Sequence, residues 1–198
     1  SLRNGARRRV LSLVNGAFSD RFHKIALACG LEADALEADW GGIHEPERVA
    51  EALKGGQYDA VTVAHSETST GALNPIAELA RVVHAAGDVV LLVDSVTGVA
   101  GVPVESDAWA LDFVLTGSQK ALALPPGLAF GVAQPNLLER ARAQKGRGIY
   151  FDFLEFDEAE RLIVAADGEW RPLIEFALKS GLSRASSRKV SFFMGVLW

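Results

Sequence analysis

From Val10 onward the chain alternates short apolar runs of β-forming residues with stretches of helical period, which restricts it to an α/β architecture built on a mainly parallel sheet. A parallel strand is covered on both faces and so reads as a nearly unbroken apolar run, and each crossover needs a helix to reach the next strand. The runs are VLSLV (10–14), AVTVA (60–64), VVLLV (89–93), FVLT (113–116) and LAFGVA (128–133), with a weaker candidate near Glu37. The helices between them carry their own boundary signals. Residues 20–30 close on Gly30, residues 45–56 open on Glu-Pro and end on Gly-Gly, and residues 74–87 open on Asn74-Pro75 and close on Gly87. Residues 135–146 open on Pro135 in the same way. Helices are expected on both faces of the sheet.

With 198 residues and an apolar fraction of 49%, the chain can bury one core. Its net charge of -5, with acids and bases intermixed, argues against a nucleic-acid partner held by phosphate contacts. Arg3, Arg7, Arg8 and Arg9 stand without an acid near the start, but the charged-then-apolar order of a secretory signal is missing. No apolar run is long enough to span a bilayer. Cys29 is the only cysteine, so no internal disulfide is expected; it reads as a buried inert thiol in a cytoplasmic protein. His23, His44, His65 and His84 lack the spacing of a zinc site, and no metal is expected. Residues 1–156 read as one domain. Residues 157–198 change character: an acidic patch, a possible helix over 171–179, a Ser/Arg stretch and an apolar end.

Ligands of open parallel sheets sit outside the carboxyl ends of the strands, where helix N-termini and loop amides point. Three successive strand ends carry polar groups: HSETSTG (65–71), DSVTG (94–98) and GSQK (117–120). Each has a plain structural explanation, since Ser and Thr cap helices, Asp closes turns and Lys is usually solvated. Their arrival at one edge favours a site. Lys120 stands in LTGSQKALALPPGL without another charge, which predicts an amine held inside the fold and able to lose its proton. Neither the dinucleotide nor the P-loop glycine pattern occurs, nor the hydrolase G-x-S-x-G elbow. An amine and a carboxylate at one edge fit pyridoxal phosphate chemistry, with Lys120 for the Schiff base and Asp94 for the ring nitrogen.

The ordered segments HSETSTG, VDSVTGVAG and TGSQKALALPPGL, with VNGAFSDRF (14–22) and GRGIYFDF (146–153), resemble the class V aminotransferases of fold type I, and among them the alanine-glyoxylate and serine-glyoxylate (serine-pyruvate) group. The resemblance runs from Val10 to about Phe156 and makes residues 1–156 part of a pyridoxal-phosphate-binding large domain. It implies that Lys120 carries the cofactor and moves protons, that Asp94 pairs with the pyridinium nitrogen, and that Val96 packs on a face of the ring. Thr68 would offer its hydroxyl to the phenolic oxygen, with Gln119 beside that oxygen or the phosphate. His65 and Glu67 receive no firm role; packing at the strand end is the plainer reading of His65. The implied activity moves an amino group from alanine or serine to glyoxylate or pyruvate, in a homodimer.

Two relatives fit less well. A cysteine desulfurase is expected to have a histidine where Gln119 stands, and Cys29 is far from any such loop; phosphoserine aminotransferases share the glutamine but differ around SETSTG and DSVTG. A phosphate-binding turn, a ring-stacking aromatic and a C-terminal domain with a carboxylate-binding arginine are not recognisable, and Arg171, Arg184 and Arg188 match no such context. The expectation is therefore that the 198-residue chain alone does not transaminate, and a non-catalytic fold or binding module remains the alternative.

Overall fold

The computed structural model describes residues 9–143 and 191–196. Its main sheet has seven strands: β1 (Arg9–Val14), β2 (Glu32–Glu37), β3 (Ala60–Ala64), β6 (Val90–Asp94), β7 (Phe113–Gly117), β8 (Leu128–Ala133) and β9 (Ser191–Val196), in the order β2-β1-β3-β6-β7-β8-β9. The first five run parallel; β8 is antiparallel to β7, and β9 to β8. A small antiparallel pair, β4 (Ser66–Glu67) and β5 (Ala72–Leu73), sits past the end of β3. Among the described residues four helices lie between the strands: α1 (Ala17–Ala28), α2 (Pro46–Gly55), α3 (Ile76–Ala85) and α4 (Pro135–Arg142).

Strand alternation decides the core. Leu11 and Leu13, Val61 and Val63, and Leu91 and Val93 project to one face, against Val49 and Leu53 of α2 and Ile76, Leu79, Ala80 and Val83 of α3. Those α3 positions follow the i, i+3, i+4, i+7 spacing of a single helical stripe. The register partners Ser12 and Thr62 belong to the opposite set and are buried. From β1 the chain steps outward to β2, then returns past β1 to β3 and β6, and right-handed crossovers in opposite directions place α1 on one face and α2 with α3 on the other. At the end remote from the polar loops, the buried Asp112 carboxylate lies within bonding distance of Leu91 N (2.8 Å), His84 Nε2 (2.9 Å) and Asn136 Nδ2 (3.0 Å), tying α3, β6 and α4 together.

Several expectations need correction. The first helix begins at Ala17, three residues before Asp20, because its first amides are capped from a distant loop. The helix expected over 74–87 spans Ile76–Ala85, and the Asn74 side chain before it bridges Ala64 O (2.7 Å) and the His44 amide (3.0 Å). Cys29 is exposed, since α1 ends at the surface. The weak strand near Glu37 is a full six-residue edge strand. Residues 191–196, for which the sequence offered only an apolar end, are a strand of the main sheet. The expected helix over 171–179, the GRGIYFDF segment, and Arg171, Arg184 and Arg188 lie outside the described residues.

Candidate functional site

The sheet order reverses its direction between β1 and β3, so the crevice at their carboxyl ends, beside the N-terminus of α1, is where an open α/β sheet most readily takes an anion. Here the chain's own carboxylate occupies it. Glu67 is fully buried, and its two oxygens accept from Phe18 N (3.3 Å), Ser19 N (2.9 Å), Ser19 Oγ (2.9 Å), Ser69 N (3.1 Å) and Ser69 Oγ (2.7 Å). Ser69 Oγ also accepts from Ala17 N at 2.9 Å. The orphan amides of the first helical turn are thus satisfied by the HSETSTG loop. Gly16 at the N-cap makes room, because a Cβ there would overlap Glu67 Cγ. Burial alone would push the Glu67 carboxyl up, but the bonds from Ser19 and Ser69 outweigh it and hold the carboxyl below its ordinary 4.5.

An external anion therefore has to bind elsewhere, and the polar groups that remain open lie at the ends of β3, β6 and β7. Asp94 ends β6, directly beside Ala64 of β3 and Leu115 of β7. Its Oδ1 accepts the Val96 amide at 3.0 Å, closing an Asx-type turn, and no other bond reaches its carboxyl among the described residues. Burial pushes the Asp94 carboxyl up from 3.8, Val96 opposes the rise and the Glu67 carboxylate adds to it. Among the described residues no cation pairs with this carboxylate. A protonated ring nitrogen would supply one, so the donor set fits pyridoxal phosphate.

The turn carrying Asp94 and Val96 is locked to the loop after β3. His65 is buried, its Nδ1 lies 3.1 Å from Ser95 Oγ, and its ring meets Trp109 edge-on. Burial lowers the His65 pKa, so the ring is a neutral packing group that fixes the turn. Gly98 and Val99 amides both donate to Ser95 O, and a Cβ at Gly98 would overlap Ser95 Oγ and stand 2.8 Å from His65 Nδ1. Thr97 Oγ1 donates to Ser66 O at 2.9 Å and lies 3.3 Å from Thr68 Oγ1. Thr68 is exposed and Val96 half-buried, both at this edge.

Lys120 follows β7 in the turn leading to β8. Ser118 pins that turn, donating through Oγ to Pro125 O at 2.7 Å while its backbone pairs with Leu124 and Leu128. Ala121 approaches the Asp94 turn: a Cβ on Gly101 would sit 3.5 Å from Ala121 Cβ. Gln119 bends back over Gly117, where a Cβ would meet its Oε1 at 2.9 Å. Lys120 is exposed, contrary to the interior amine expected from its apolar neighbours. Those neighbours form the tip of a hairpin whose return strand starts only at Leu128, so they project past the sheet, and Leu124 remains 49% exposed.

The sequence reading singled out Asp94, Val96, Thr68, Gln119 and Lys120, and the topology brings all of them to one edge. It missed Ser19, Ser69, Ser95, Thr97 and Gly98, which hold the loops in place. The one available signal was the density of Ser, Thr and Gly in SETSTG and DSVTG, which fits capping and ligand binding equally.

Comparison with known proteins gives a consistent picture. An uncharacterized aminotransferase of Methanocaldococcus jannaschii is 42% identical over 152 residues, covering 75% of this chain and 39% of that protein. The serine–glyoxylate aminotransferase of Methylorubrum extorquens is 36% identical over 154 residues, 73% of this chain and 38% of that protein. The crystal structure of a subgroup IV aspartate aminotransferase from Thermus thermophilus superimposes with a TM-score of 0.69 at 38% identity, covering 77% of this chain and 42% of that one. The chain thus spans about two fifths of the length of the relatives it matches. The family model for class-V aminotransferases matches residues 7–167, and with these relatives it establishes that the chain belongs to the class-V aminotransferase family.

Proposed function

We propose that this chain forms the cofactor-holding edge of a pyridoxal-phosphate-dependent aminotransferase that moves an amino group from a small amino acid to glyoxylate or pyruvate. The observation that supports it most is Asp94, a half-buried carboxylate raised in pKa and bonded to a single amide, at the same sheet edge as Lys120. The similarity to the serine–glyoxylate aminotransferase of Methylorubrum extorquens supports glyoxylate as acceptor.

Pyridoxal phosphate supplies a carbonyl that condenses with amines and a ring that draws electrons from the substrate carbon. Asp94 would hold the proton on the ring nitrogen, and Val96 would pack on a face of the ring. Thr68 would offer its hydroxyl to the phenolic oxygen, and Gln119 would stand beside that oxygen or the phosphate. Lys120 Nζ would hold the group and would serve as the base and acid for the substrate proton. The exposed hairpin tip makes Lys120 accessible. Because Glu67 fills the N-terminus of α1, other groups would have to hold the phosphate. We further propose a homodimer, supported by Ile25, Leu27 and Leu124, which stay 52%, 47% and 49% exposed, and a cytoplasmic setting, consistent with a lone cysteine.

The test is to load the complete protein with pyridoxal phosphate, reduce it with borohydride and map the adduct by mass spectrometry, alongside glycine formation from glyoxylate with serine, alanine or aspartate as donor. Labelling concentrated on Lys120 and lost in Lys120→Ala is expected. Labelling spread evenly over surface lysines such as Lys24 and Lys54, without turnover, would favour a fold that has lost the activity.

A further inference from the structure

Proton counting makes the pair of hydroxyls above β3 and β6 directional. Thr97 Oγ1 lies 2.9 Å from Ser66 O and 3.3 Å from Thr68 Oγ1. A carbonyl only accepts, and a hydroxyl has one proton to give. Thr97 therefore donates to Ser66 O and can only accept from Thr68, so the bond between the two hydroxyls runs from Thr68 to Thr97. What Thr68 then offers the open edge is lone pairs.

Thr97 has little freedom to reorient. It lies between Val96, whose amide is held by Asp94, and Gly98, whose amide is held by Ser95 O and whose missing Cβ leaves room for the His65–Ser95 pair. The same five-residue turn therefore presents Asp94, Val96 and the Thr97 hydroxyl as one unit.

We infer that Thr97 is a positioning residue that acts through Thr68, competing with the phenolic oxygen of the cofactor for the Thr68 proton. The inference rests on the reading above in which Thr68 faces that oxygen. An anionic phenolic oxygen is a stronger acceptor than a hydroxyl at 3.3 Å, so binding draws the proton from Thr97, and the Thr97 bond is what must be given up. Thr97 thus tunes how strongly Thr68 stabilises the anionic oxygen.

The test is the pH titration of the visible absorbance of cofactor bound to the complete protein, together with the equilibrium dissociation constant for pyridoxal phosphate. Thr97→Val keeps shape and charge while removing the competitor, so it leaves the charges on His65, Glu67 and Asp94, the titratable groups of the two loops, unchanged. It is expected to move the spectral midpoint down by about half a unit or more, because Thr68 is freed to stabilise the anion, and to tighten cofactor binding. Thr97→Ser, which restores the hydroxyl, should titrate like the wild type. In a Thr68→Val background, Thr97→Val should have no effect. A midpoint that stays or rises in Thr97→Val, or an equal shift with and without Thr68, overturns the inference. If Thr68→Val alone titrates and binds like the wild type, the placement of Thr68 beside the phenolic oxygen is wrong, and the inference falls with it.

Discussion

Glu67 Oε2 lies 2.9 Å from the backbone nitrogen of Ser19, 48 residues earlier in the chain. Through that bond the loop after β3 caps the helix after β1, and a side chain takes the place an exogenous anion would otherwise find. The loop that carries Thr68 is thereby fastened to the centre of the sheet.

Removing the Glu67 carboxylate should therefore destabilise the fold. Glu67→Ala leaves the buried Ser19 amide and the part-buried Phe18 amide without their acceptor and is expected to cost about 3 kcal/mol. Gly16→Ala should be damaging too, because the new Cβ collides with Glu67 Cγ. Urea midpoints of both variants check this. Because the folded carboxyl titrates below its ordinary value, its contribution is full above pH 4.5 and disappears as pH falls through the folded pKa. Glu67→Ala should lack that acid-limb loss.

His44 predicts a separate pH window. It is 1% exposed, both ring nitrogens lack partners among the described residues, and burial together with Arg48 pushes its pKa down from 6.5 to about 4. Between those values the unfolded chain binds a proton that the folded one refuses, so stability should fall with pH from 6.5 towards 4, by at most roughly 3 kcal/mol. His44→Leu should flatten that slope and raise stability at pH 5. Equal slopes for variant and wild type in chemical denaturation at pH 7, 6 and 5 would contradict the assignment.

Gly98→Ala should separate the two loops without touching a group assigned to the cofactor. Its Cβ meets Ser95 Oγ and His65 Nδ1, so the turn must shift, at a cost of about 1–3 kcal/mol. The shift moves Asp94 and Val96 with it. Weaker pyridoxal phosphate binding than the stability loss accounts for is expected by equilibrium titration.

Asp94→Asn should push stability and function in opposite directions. The folded state raises the pKa of Asp94, so its charge opposes folding above pH 3.8, and the amide should make the cofactor-free protein more stable at neutral pH. Turnover of the complete enzyme should fall by ~10²–10³ or more as the ring nitrogen loses its anionic partner. Thermal denaturation without cofactor and steady-state rates with it test the two halves.

The sequence by itself determined the class of fold and the edge to search. Runs such as AVTVA and VVLLV are too apolar for anything but strands covered on both faces, and the 76, 79, 80, 83 stripe of α3 allows one packing face. Because open parallel sheets gather loops at their carboxyl ends, HSETSTG, DSVTG and GSQK had to share one edge once those strands lay parallel. Local pattern could not say which side chains within each loop face inward, since that depends on partners tens of residues away. Only the tertiary structure decided that Glu67 turns towards α1, that His65 and Ser95 join two loops, and that the Thr97 hydroxyl lies between Ser66 O and the Thr68 hydroxyl. It also decided against the interior lysine: apolar neighbours bury an amine only where another layer covers them, and residues 118–127 stand at the tip of a hairpin beyond the sheet.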